Sequence, residues 1–169
     1  MPLFGGTPGT FATVNPQANP PTRVYRVIPG PVWWTLLHWP WRQFLAAVAC
    51  GTPGVQPPQL AHRGAAGVFV TDRISLQGCD DPGHFAWRLS LSPQDQLDCQ
   101  LFGCAVIRFG LPQPHTILAL AGLPGTNLGL TAGGAREWLL AGNIDLANSM
   151  QVHYVDRMQQ GARHFRLPL

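Results

Sequence analysis

The stretch GVFVTDRISLQGCDDPGHFAWRLSLSPQDQLDCQLFGCAVIRF, residues 67–109, decides how the chain is read. Short runs of alternating or β-branched apolar residues stand between turn residues, the pattern of strands and their connections. Read this way, 67–76, 84–91 and 96–109 are strands, with turns at Asp81-Pro82-Gly83 and Ser92-Pro93. The texture continues through 115–123 and 126–131, separated by Gly110 to Pro114 and by Pro124-Gly125. Turns every 8–12 residues or so indicate an all-β body, an antiparallel sandwich or barrel.

Working outward, residues 23–28 read as a strand stopped by Pro29-Gly30-Pro31. Val32 to His38 suits a strand or an irregular apolar stretch. Pro40 fits the first turn of a helix, where its missing N–H does no harm. Trp41, Phe44, Leu45 and Val48 follow at helical spacing and Gly51 stops it, so 40–50 is expected as one short Trp-rich helix. Residues 51–66 form a Pro-rich loop. Ala135 to Ala141 suits a helical turn. Residues 150–157 alternate like a strand, with a helix over 144–158 as the competing reading, and 163–168 form a last strand or a tail. Residues 1–22 carry no charge, and Pro or Gly recurs every few positions. Proline fixes φ and has no N–H to donate, so neither a helix nor an interior strand can run through them. The division is an extended arm, 1–22, with Phe4 and Phe11 as anchors, and a single β-rich domain, 23–169.

Composition bears on function. The chain has 169 residues and no lysine; its eleven basic residues are all Arg, and Glu137 is its only glutamate. Charged residues make up 11%, against about 25% for an ordinary soluble domain. A free protein normally stays monomeric behind a surface of mixed charge. So little charge points to a subunit of a larger assembly, although GC-rich coding also accounts for absent lysine. A net charge of +3 with scattered arginines argues against a dedicated nucleic-acid binder. The longest apolar stretch, Val32 to Cys50, is broken by His38, Pro40, Arg42 and Gln43, which argues against a membrane span. No basic start with an apolar run marks a secretory signal in 1–22.

No motif names a reaction. A P-loop needs lysine, H-E-x-x-H is absent and no G-x-S-x-G occurs. Cys79, Asp80, Asp81 and His84 fall within six residues. They form a turn sequence first, and a thiolate with a base second. Cys99 and Cys104 lack the doubled spacing of a zinc site and read as buried thiols, with a disulfide as the alternative. No catalytic residue, cofactor or metal is therefore assigned.

Trp33, Trp34, Trp39 and Trp41 crowd into nine residues. Tryptophan is enriched at protein interfaces, where it buries a large area and offers one N–H donor. The expected function is a structural subunit of a large symmetric assembly, a virus or bacteriophage virion protein of minor capsid, cement or tail type. Contacts to neighbouring subunits, copies of itself included, are expected through Phe4, Phe11, Trp33, Trp34, Trp39 and Phe165. Two alternatives stand beside it. One is an extracellular carbohydrate-binding β-sandwich using Trp33, Trp34 or Trp87. The other is a small thiol enzyme using Cys79 and His84.

Overall fold

A computed structural model describes residues 2–17, 20–37, 43–44, 67–110, 117–120, 129–141, 144–145, 151–156 and 159–165. It begins with strand β1 (Arg23–Pro29), followed directly by helix α1 (Gly30–Leu37). Strands β2 (Gln43–Phe44) and β3 (Gly67–Val70) come next, then a 3-10 turn over Ile74–Leu76. Helices α2 (Pro82–Arg88) and α3 (Pro93–Phe102) precede β4 (Cys104–Gly110) and β5 (Ile117–Leu120). The remaining strands are β6 (Trp138–Ala141), β7 (Ile144–Asp145), β8 (Gln151–Asp156) and β9 (Gln159–Phe165).

Every strand pair is antiparallel. The main sheet runs β1-β4-β8-β9, a three-stranded sheet runs β3-β6-β5, and β2 pairs with β7. Val27 lies opposite Val106, and Val106 opposite His153. Tyr25, Val27, Cys104 and Val106 share a core with Leu76, Cys79, Phe85, Ala86 and Cys99, so α2 and α3 cover one face of this sheet. The other face is closed too, for Val24, Ile28, Ala105, Ile107 and Val152 are buried.

The β-rich expectation holds only coarsely, and neither a sandwich nor a barrel is seen among the described residues. Residues 84–91 and 96–102 are the main correction: α2 and α3 stand where strands were expected, while 104–109 is strand, as β4. Asp81 is the N-cap of α2, its Oδ1 accepting from the His84 N–H at 3.0 Å with Pro82 at the first helical position. Ser92 does the same for α3, its Oγ accepting from Asp95 N–H at 3.1 Å ahead of Pro93. A capping side chain followed by proline satisfies the first free amides and presets φ, so both sequences start helices rather than hairpins. Gly103, at φ 83°, ends α3 and sends the chain into β4.

Val32 to Leu37 is helical, as part of α1, and Trp138–Ala141 is a strand where a helical turn was expected. Gln43–Phe44 pairs as β2, against the helix expected there, and the rest of 40–50 and the loop 51–66 lie outside the described residues.

Residues 2–17 contain no helix or strand and pack on their own chain. Phe4 is only 5% exposed and sets its ring edge-on to Tyr25, Phe85 and His153, with centroids 5.0, 6.1 and 6.4 Å away. The Gly9 N–H donates to Gly78 O and the Gly78 N–H to Gly5 O, at 2.9 and 3.0 Å. Gly78 has φ 84°, and a β-carbon there would collide with the Thr10 carbonyl. Gly78→Ala is therefore expected to destabilise the fold by about 2–4 kcal/mol, combining backbone strain with a lifted arm. Urea denaturation of the two proteins checks this.

Candidate functional site

Three places combine chemical groups or exposed apolar surface. The first is the start of α2. His84 Nδ1 lies 2.6 Å from Asp80 Oδ1 and Nε2 lies 3.6 Å from Asp81 Oδ2, so both ring nitrogens face carboxylates. Phe11 of the arm meets the His84 ring edge-on at 5.4 Å and stacks on Trp87 at 5.2 Å. Among the described residues Asp80, Asp81 and His84 are the group able to offer three donor atoms to a metal ion, all within 4.8 Å of one another. Asp80 and the His84 ring already hydrogen-bond to each other, and Asp81 caps the helix end.

Cys79, beside this cluster in sequence, is turned inward and fully buried. Burial pushes its thiol up to about 12; Arg88 works against that, and Asp80 and Asp81 add to it. A nucleophilic cysteine needs the opposite environment. Both ring nitrogens of His84 face carboxylates rather than a thiol. Cys99 and Cys104 are buried free thiols, one in the last turn of α3 and the other opening β4. A hydrogen bond donated to Cys99, and then burial, hold the Cys104 thiol well above its ordinary range. Iodoacetamide at neutral pH is expected to leave Cys79 unmodified in the folded protein and to label it on unfolding, read by mass spectrometry.

The second place is the outward side of α1 and α3. Trp33 is buried while its neighbour Trp34 is 46% exposed. Trp34 stacks on Tyr154 at 6.2 Å and meets Phe102 edge-on at 6.5 Å. Tyr154 donates its hydroxyl to Phe102 O. Phe102 is exposed, as are Leu97 and Leu101, which sit one turn apart on the same face of α3. Scattered exposed leucines are ordinary, but touching aromatics beside them make a patch of the sort that marks interaction surfaces.

The third place is a small cavity between β1 and β3, with room, about 20 Å³, for roughly one water molecule. Tyr25, Arg26, Val27, Phe69, Val70, Thr71 and Glu137 are among its walls. Burial pushes the Glu137 carboxyl up to about 7, against the pull of Arg26. Glu137 drew notice in the sequence only as the lone glutamate, since its surroundings are set by residues far away in the chain.

Of the six expected contact residues, Phe4 and Trp33 lie in the core and Trp34 is exposed. Phe11 is half-buried against His84 and Trp87. Phe165 pairs with Val152 in the sheet, and Trp39 lies outside the described residues. No described helix is long and apolar enough to cross a membrane. No family model, curated protein or solved structure matches this chain.

Proposed function

We propose that this protein is a structural subunit of a large symmetric assembly, with a virus or bacteriophage virion as the setting, in a minor capsid, cement or tail role. The observation that carries this reading is the exposed apolar surface of α1 and α3 in a chain with so little charge. Leu101 is 63% exposed, and Trp34 and Phe102 touch in the open. Obligate interfaces have this character, apolar and aromatic, like a core cut in half. The action is mechanical: Trp34, Leu101 and Phe102 bury against a neighbouring subunit. The arm supplies fewer contacts than its composition suggests, because Phe4 is occupied within its own chain. Its polar stretch Gly6 to Thr10 remains outward.

Carbohydrate binding has one observation in its favour. Trp87 is 51% exposed, one helical turn from His84, which is bonded to Asp80. It predicts a monodisperse monomer whose Trp87 fluorescence responds to a sugar.

Light scattering after size-exclusion chromatography, over about a tenfold concentration range, tests the assembly reading. The wild-type chain is expected to form oligomers whose mass rises with concentration. The double variant Trp34→Ser, Leu101→Ser should remain a folded monomer, since losing two interface anchors removes about 2–4 kcal/mol or more. A wild-type chain that stays monomeric throughout, alone and with its neighbours in the particle, contradicts the reading.

A further inference from the structure

We infer that the patch on α1 and α3 receives the Arg23–Arg108 end of a second copy of this chain, so that copies join head to tail. The inference rests on the assembly reading above and adds which surface meets which. The patch is not only apolar. α1 and α3 hold no basic residue, and their charges are Asp95 and Asp98. Asp98 stands one helical turn from both Leu101 and Phe102, which are exposed. Trp34 lies nearly flat on Tyr154, with ring planes 17° apart, and keeps much of its own surface open. Aromatic rings beside a carboxylate suit one side chain above others. A guanidinium stacks on the rings and forks onto the carboxylate, and every basic residue of this chain except histidine is an arginine.

Charge is divided unevenly along the chain. Residues 80–102 carry four of the eight carboxylates and a single arginine, Arg88, which is buried. The remainder carries ten arginines against four carboxylates. Two of those arginines are placed together by the main sheet. Arg23 lies opposite Gly110, and Arg108 opposite Tyr25. That register makes Arg23 and Arg108 diagonal neighbours on one face, roughly 7–8 Å apart. Arg23 is exposed and Arg108 half-buried, and neither has a carboxylate within salt-bridge reach among the described residues. β1 runs from Arg23 to Pro29 and passes straight into α1, while α3 passes through Gly103 into β4 at Cys104. The arginines and the patch therefore occupy opposite ends of the same two strands, roughly 20 Å apart over the seven residues of β1.

This layout decides between two symmetries. A two-fold contact sets patch against patch, which brings Asp95 and Asp98 of both copies together with no cation from either α1 or α3 to offset them. A head-to-tail contact sets the Arg23–Arg108 end against Trp34, Tyr154 and Asp98, so opposite charges meet. Each copy then has one end that gives and one that receives, and the assembly closes into a ring or grows as a filament according to the rotation between neighbours.

Mixing variants tests this by light scattering. The double variant Trp34→Ser, Leu101→Ser loses the patch and keeps the arginine end; Arg23→Glu, Arg108→Glu keeps the patch and reverses the other end. Each alone is expected to be a monomer, and their equimolar mixture a 1:1 pair that added salt weakens. An excess of the patch variant should also cap wild-type oligomers and lower their mass, a result that stands even if the arginine variant does not fold. Asp98→Arg, a surface change, serves as a second variant on the patch side: it should weaken wild-type association and recover it with Arg23→Glu, Arg108→Glu. An arginine variant that dimerises alone, a mixture that stays monomeric, or wild-type oligomers indifferent to the patch variant each overturn the head-to-tail contact and leave the assembly reading standing. A wild-type chain that is monomeric alone yet bound by another protein of the particle does the same, since the occupant is then not a second copy. A chain monomeric both alone and with those neighbours overturns both.

Discussion

One buried cation holds this fold together. Arg88 is 5% exposed and has no carboxylate within salt-bridge reach among the described residues. Its guanidinium donates instead to three backbone carbonyls, those of Ser75, Gly133 and Ala12, and lies over the Phe11 ring at 5.5 Å. These partners come from the 3-10 turn, the segment before β6 and the arm, which are remote in sequence. Thr131 returns a hydrogen bond to the Arg88 carbonyl at 2.6 Å, and Gly133 lies so close to the Arg88 and Trp87 carbonyls that a side chain there would clash. Burial pulls the guanidinium pKa down, yet arginine stays charged at any relevant pH. A buried charge is tolerated only when its donors are satisfied, so losing any of the three segments leaves Arg88 in deficit.

Arg136 repeats the device. It pairs with Asp72 at 2.6 Å and donates Nε to Asn15 O, three residues beyond the carbonyl that Arg88 holds. Two of the eleven basic residues thus grip the arm from within rather than solvating the surface. That makes the exterior poorer in charge than composition alone suggests. With Phe4 in the core, the arm becomes part of its own domain, and the outward apolar area falls to α1 and α3. The assembly reading accordingly rests on Trp34, Leu101 and Phe102 more than on the arm.

What could be read in advance was local. The run Arg23 to Ile28, stopped by Pro29-Gly30-Pro31, points to β1, and the alternation of Val152 and Tyr154 favours β8 over the competing helix. Trp33 and Trp34, adjacent in α1, divide, one inward and one outward. The helices α2 and α3 were hidden by residues with two meanings. Asp81-Pro82-Gly83 and Ser92-Pro93 suit turns, but they suit N-caps equally, and the choice depends on whether Phe85, Ala86 and Cys99 find a core to enter. The Arg88 contacts were out of reach, since backbone carbonyls leave no mark in a sequence. Glu137 was equally opaque, the burial that raises its carboxyl pKa coming from β1, β3 and the segment after α2.

The arm is folded onto its own chain rather than onto a neighbour, with Phe4 against Tyr25 and Phe85. Isotope-filtered NMR on a mixture of labelled and unlabelled chains tests this most directly, by asking which molecule supplies the protons near the Phe4 ring. Contacts from Phe4 to Tyr25 and Phe85 are expected to arise wholly within one chain and to persist on dilution. Contacts appearing between labelled and unlabelled chains would show the arm exchanged between subunits and would contradict it.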